Sequence, residues 1–290
     1  MYLIDPSVKY VALLALEKIA RSHPDLVVLH QDTILDCIED GDISIRTRTL
    51  DLIKYIVNTD NLTDLVGRLL RQLKHAPVAN GTGDPADDRQ YTNSVEAEYL
   101  DDEDMQASLR QGETRSLEPP PLPEPYRVEI IRRVLEMCSR DTYANITDFE
   151  WYVDVLTQLV RVCPSTQPSE QARSLEDEES EVEVSEAIGQ ELQRVTVRVR
   201  GVRPDATRAA ESLILLEKRN KMFPSTGNAG QGVLASAAWL VGEYAEYLID
   251  PEAAMTSLLQ SLEEQLSAAT LATYIPVSYT HLTLPTILRV

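Results

Sequence analysis

Aromatic side chains are scarce: Phe, Trp and Tyr together make up 6% of 290 residues, with only two Phe and two Trp. Any core this chain builds is therefore aliphatic. Cysteine is equally sparse. The three present, Cys37, Cys138 and Cys163, stand far apart at apolar helical positions, which excludes a disulfide framework and a closely spaced metal-ligand pair and leaves small core residues. Long apolar runs are missing as well. The longest, Val233 to Gly242, is about half of the ~20 residues a membrane-spanning helix needs, and no charged, apolar and cleavage sequence opens the chain. A cytosolic protein without a signal peptide is expected, in which the Asn-x-Thr strings at Asn61, Asn80 and Asn145 are not glycan acceptors. Basic residues are the last deficit, with 27 Lys and Arg against 47 Asp and Glu. No basic stripe is available to neutralise phosphates, so no nucleic-acid partner is expected.

The net charge of −20 is unevenly placed. Residues 77–124 carry −9 and residues 164–186 carry −7, leaving −4 for the rest. The first of these segments cannot order itself by burial. Its nine larger apolar residues are worth ~13 to 27 kcal/mol when buried, against ~48 to 96 kcal/mol for fixing its backbone. It ends in Pro119-Pro-Pro-Leu-Pro-Glu-Pro125, a stretch that favours stiff polyproline conformation. The expected division is helical repeats over 1–76, a disordered acidic and Pro-rich linker over 77–124, a helix pair over 125–163, a disordered acidic loop over 164–184, helical repeats over 185–274 and a tail over 275–290. In the acidic loop, Ser174 precedes Asp177 and Ser180 precedes Glu183 by three positions, the setting favoured by acid-directed kinases. Ser174 and Ser180 are the candidate modification sites.

What the chain does have is a repeat. Asp5-Pro-Ser-Val-Lys9 returns as Asp42-Ile-Ser-Ile-Arg46, and at the same offset of 37 residues Leu13 meets Leu50, Leu16 meets Ile53 and Ile19 meets Ile56. A period of this length built from helical patterns marks an α-solenoid of the HEAT or armadillo type, in which each helix pair leaves an apolar face for the next to bury. The repeated residues have distinct jobs. Asp5 and Asp42, or the serines two positions on, can cap a first turn. Lys9 and Arg46 can lie over a neighbouring turn and reach an acidic group.

Helical periodicity is clearest at Leu62, Leu65, Val66, Leu69, Leu70 and Leu73, and at Phe149, Tyr152, Val153, Leu156, Leu159, Val160 and Cys163. In all, ten helices are expected near 6–21, 25–39, 44–58, 62–75, 125–139, 147–162, 185–201, 204–221, 230–249 and 251–272, paired as five repeats. Thr147 and Glu150 have capping-box spacing and Asn61 can cap the fourth helix. Val195 to Arg200 alternates like a strand, but the longer stripe Ile188, Leu192, Val195, Val199 and Val202 makes it helical. Trp151 and Trp239 are expected in the core.

No set of residues converges on chemistry. His30 and Cys37, seven apart, share one helix face, but two ligands do not make a zinc site. His23 sits at a helix junction, and Cys138 and Cys163 have no local histidine. Gly227-Asn-Ala-Gly-Gln-Gly232 precedes a helix but lacks the Lys and Ser or Thr of a phosphate loop, and reads as a flexible entry turn. No catalytic residue, cofactor or metal is assigned.

The stretches Asp5 to Ala20, Ile146 to Leu156 and Ala237 to Tyr244 resemble adaptins, with Asp148-Phe-Glu-Trp-Tyr152 the most specific part. The resemblance covers most helical residues from 2 to about 274 and leaves out both acidic loops. It implies a non-catalytic trunk of a vesicle-coat adaptor, carrying cargo from Golgi or endosomes to a lysosome or vacuole. The partners it implies are beta, medium and small adaptor subunits, peripheral contact with membranes, and a GTPase of the ADP-ribosylation factor class near the N-terminal repeats. It also implies an internal fragment, whose first repeat copy faces a neighbour not in this sequence. The competing reading is another helical-repeat scaffold, a nuclear transport receptor or a phosphatase scaffold. Val277 to Val290 fits neither the repeat nor the family pattern, resembles translated sequencing-adapter sequence, and is set aside from the fold.

Overall fold

The computed structural model describes residues 5–75, 122–163, 175–222, 231–260 and 268–277. Among these residues there is no β-strand, and thirteen α-helices follow one another: α1 (Pro6–Ala20), α2 (Pro24–Val28), α3 (Gln31–Asp36), α4 (Ile43–Ile56), α5 (Leu62–His75), α6 (Glu124–Ser139), α7 (Phe149–Val162), α8 (Leu175–Arg198), α9 (Arg203–Ile214), α10 (Leu216–Met222), α11 (Gln231–Glu243), α12 (Pro251–Gln260) and α13 (Ala268–Pro276). They stack as successive layers in two parallel rows. Helices α1, α4, α6, α8, α11 and α13 each pack on the next, while α5, α7, α9 and α12 form a second row, with α2 and α3 lying against α4. This is the expected α-solenoid.

The repeat explains the layering. Asp5 and Asp42 are both N-caps, and each carboxylate accepts from the backbone N–H two residues on, at 2.9 Å from Ser7 and 2.8 Å from Ser44. Helix α4 has two apolar faces. Leu50 and Ile53 belong to the main core, which runs from Ile38 to Val277, whereas Ile45, Leu52 and Ile56 belong to a smaller core shared with Leu13 and Ala20 of α1. One helix thus joins two layers, as a solenoid requires. The stripes of α5 and α7 are buried as their periodicity predicts, with only Phe149 partly covered.

Several expectations are revised. The helix expected over 25–39 is broken into α2, α3 and a 3-10 turn at Cys37–Glu39, with His23 and His30 at the entries and no side-chain cap at either. The helix expected over 204–221 is interrupted at Leu215. Asp148, not Thr147, caps α7, accepting from Glu150 and Trp151. Asn61 ties the turn before α5 instead of capping it: its amide donates to the Ile56 carbonyl and its oxygen accepts from the Asn58 N–H. Helix α8 starts at Leu175, well inside the segment expected to be a disordered loop through 184. Glutamate is a strong helix former and acids are favoured in a first turn, so the acids that forbid a core there still support a helix joined to one. Val195 to Arg198 is helical, as the longer stripe indicated. The linker over 77–124, apart from its last three residues, and the residues joining α12 to α13 lie outside the described residues.

The turn from α6 to α7 is made by Asp141, Thr142 and Tyr143, all left-handed at φ 49°, 59° and 67°. Non-glycine residues in that region cost on the order of 1 kcal/mol each. Burial of Tyr143, edge-on to Phe149 with centroids 6.0 Å apart, holds the turn in place. By contrast Gly67, within α5, has open space where a Cβ would point. Gly67→Ala should therefore raise stability by about 0.5–1 kcal/mol, read as a higher urea midpoint at unchanged slope.

Candidate functional site

In a repeat stack the functional surfaces are the places where one layer holds the next, and here charged side chains mark them. Lys9 and Arg46, equivalent in the two repeat copies, converge on a single residue. Lys9 Nζ lies 2.7 Å from Asp40 Oδ2, and Arg46 Nε donates to the Asp40 carbonyl. The hydrogen bond from Lys9 holds the Asp40 carboxyl below its ordinary value. A depressed carboxyl stabilises the fold above its unfolded-state value and loses that contribution as pH falls through the folded one. Lys9→Met should thus lower the melting temperature at pH 7, with the difference from the parent shrinking as pH falls below the ordinary carboxylate range.

A second chain of charges crosses three layers. It runs from Arg21 to Glu17 in α1, on to Arg48 and Asp51 in α4, and ends on Arg133 of α6. Arg133 is 17% exposed and grips Asp51 at 2.6 Å, Glu129 at 2.7 Å and Glu136 at 2.9 Å. Only Asp51 belongs to α4; Glu129 and Glu136, on α6 itself, hold the half-buried guanidinium in place so that its bond to Asp51 fixes the spacing of the two helices more firmly than an isolated surface pair would.

Two buried carboxylates do the same deeper in the stack. Glu191 of α8 accepts from Tyr152 Oη of α7 at 3.2 Å and from Arg194 at 2.6 Å. Glu211 of α9 accepts the backbone N–H groups of Ile249 and Asp250, at 3.1 and 2.8 Å, and so ties the entry of α12 to its neighbour. Neither carboxylate stands out in the sequence as a buried acid. The signal was present, since each acid falls on the apolar stripe of its helix, where a charge without a partner is too costly to keep.

Helices α8 and α11 cross closely. A Cβ on Gly232 would lie 2.5 Å from Ser185 Oγ and 2.6 Å from the Glu186 backbone N, and one on Gly189 would lie 3.0 Å from the Val233 Cα. Gly232 is thus a packing residue within α11, not part of a flexible turn; Gly227 to Gly230 lie outside the described residues.

The residues considered for chemistry are dispersed. None of the three cysteines is in a disulfide, and among the described residues no three metal-ligating side chains come together. Burial pushes the Cys138 thiol up to about 12, which keeps it protonated and unreactive at neutral pH. His30 and Cys37 do line one groove, beside α1. Trp151 and Trp239 are partly buried, packed against the core and not within it. Trp151 gives up the central place to the adjacent Tyr152, because the turn of α7 that faces the next layer is set by the stripe through Leu156 and Leu159. Ser174 lies outside the described residues, and Ser180 sits within α8 instead of a loop. No described helix is long and apolar enough to cross a membrane.

The family model described as the Adaptin N terminal region matches residues 4–282. AP-3 complex subunit delta of Dictyostelium discoideum is 31% identical over 257 residues, covering 88% of this chain and 17% of that protein. AP-3 complex subunit delta-1 of Bos taurus is 28% identical over 272 residues, covering 93% and 17%. The chain thus spans about a fifth or less of the length of these curated relatives. A homology model of the full-length AP-3 complex in an intermediate open conformation contains a chain that superposes with a TM-score of 0.64 at 21% identity, covering 94% of this chain and 40% of that one, and shares its fold. The family match runs to residue 282, and the last described residue, Val277, is buried in the main core. A stack of layered helices, capped and bridged at equivalent positions and matched along nearly its whole length, belongs to the adaptin N-terminal family.

Proposed function

We propose that this chain is a non-catalytic scaffold segment from the trunk of an AP-3 delta-type large subunit, working in vesicle-mediated transport between Golgi or endosomes and a lysosome or vacuole. One observation carries the reading: a single core continuous through most of the layers, matched to delta subunits over about nine tenths of the chain. A repeat stack of this kind presents long helical surfaces on which partners can be held. The partners are the beta, medium and small adaptor subunits, and contact with membranes is peripheral and made through the assembled complex. Phosphorylation of Ser174 and Ser180 would add charge to an already acidic segment.

Co-expression tests the assignment. The full-length polypeptide carrying this segment should co-purify with beta, medium and small adaptor subunits. Recovery of a nuclear GTPase or a phosphatase catalytic subunit in their place would overturn it and favour the alternative helical-repeat scaffold.

A further inference from the structure

Thr147 and Glu150 form a motif of the sequence that the fold does not use. Their spacing is that of a capping box, yet Asp148 caps α7 in place of Thr147. Both residues are exposed, and among the described residues neither side chain has a hydrogen bond or an ion pair. Thr-x-x-Glu is also a pattern read by acid-directed kinases, and here a second acid follows the threonine directly, giving Thr147-Asp-Phe-Glu150. Ser180 is followed by acids at the same two positions but sits within α8, whereas Thr147 precedes its helix. Residues Ala144 to Asp148 lie between the left-handed turn and α7, and Asp148 is extended at φ −126° and ψ 111°, the backbone shape that a kinase cleft accepts. Ile146 and Phe149 anchor the segment on either side of Thr147, so it must lift locally to enter such a cleft. The first turn of α7 yields most readily, because the Tyr152 N–H reaches the Asp148 carbonyl only at 3.4 Å.

We propose that Thr147 is a phosphoacceptor for an acid-directed protein kinase. Thr147 Oγ attacks the γ-phosphorus of ATP and gives its proton to the base of the kinase, the bond to the oxygen bridging the β- and γ-phosphates breaks, and ADP leaves. Glu150 is the acid that the kinase reads, since its carboxylate is uncommitted and no contact within this chain is lost when it is bound. Asp148 contributes less, because its carboxylate already holds the backbone N–H groups of Glu150 and Trp151. The product carries roughly two negative charges at the amino end of α7, where the helix dipole favours them. The modified chain therefore keeps its fold and gains an anionic mark at the turn between α6 and α7, of the kind that arginine side chains of a partner bind in bidentate fashion.

The test is phosphate transfer to the folded protein. The 290-residue chain, carrying Ser174→Ala and Ser180→Ala to remove the two acidic-segment sites, is incubated with ATP and an acid-directed serine/threonine kinase and mapped by fragmentation mass spectrometry. Phosphate should be found on Thr147. Glu150→Gln should slow its addition about tenfold or more while leaving the melting temperature unchanged, and Thr147→Val should abolish it. Absence of phosphate from Thr147 would overturn the proposal; phosphorylation of a peptide of residues 142–156 under the same conditions would then place the failure in the folded turn. Equal rates for the parent and Glu150→Gln would overturn it as well, because the acid would then not be read. Recovery of adaptor subunits does not depend on Thr147, so this proposal and the scaffold reading fail separately.

Discussion

Tyr152→Ala should destabilise the fold by about 4 kcal/mol, lowering the melting temperature by about 10 °C. Tyr152 is fully buried, stands 6.2 Å from the Tyr143 ring, and donates to Glu191 Oε1 at 3.2 Å. Truncation opens a cavity where α6, α7 and α8 meet and leaves one oxygen of a buried carboxylate short of a donor, two costs that add. The neighbour is the control. Trp151→Ala removes a larger side chain that is only partly buried, and should cost less, about 1–2 kcal/mol. Tyr152→Phe separates the terms, keeping the ring and losing the hydrogen bond for about 1–2 kcal/mol. Urea denaturation of the three variants gives the order directly; a larger loss for Trp151→Ala than for Tyr152→Ala would restore the tryptophan to the core.

Gly232→Val should cost about 3 kcal/mol, the second large effect. The atoms that a side chain at Gly232 would meet include the Glu186 backbone N at 2.6 Å and Cα at 3.0 Å. Backbone cannot rotate aside as a flexible side chain can, so α11 must move away from α8 and the packing of Val233, Ala237 and their neighbours loosens with it. Gly201→Val, where nothing lies within 4 Å of the added carbon, should cost far less. Equal melting of the two variants would show that the close crossing of α8 and α11 is not maintained in solution.

What the sequence made legible follows from period. Leu62 to Leu73 and Tyr152 to Cys163 are buried as read, because a 3.6-residue stripe is a local signal that needs no knowledge of the partner helix. The offset of 37 residues likewise disclosed the stack, but of the two equivalent cations only Lys9 meets a carboxylate, while Arg46 donates to the Asp40 backbone carbonyl. The layer-to-layer connections stayed hidden for a different reason. Arg133 meets Asp51 across 82 positions and Glu211 meets Ile249 across 38, and nothing in a single sequence pairs residues at such separations. The tryptophans misled because residue type ranks burial only on average, while the register of α7 decides whether position 151 or 152 points inward. The acidic stretch misled because it was weighed as a separate segment, whereas α8 carries its start out of a buried second half.

The central claim is that the chain is a translational stack in which each layer is sealed by the one before it. Amide hydrogen exchange measured helix by helix tests this most directly, because α1 and α4 share sequence pattern and N-cap but differ in burial. Exchange should be slow in α4, α6 and the second half of α8, with α1 exchanging faster than α4 by at least about an order of magnitude. Protection of α1 equal to that of α4 in the isolated chain would contradict it.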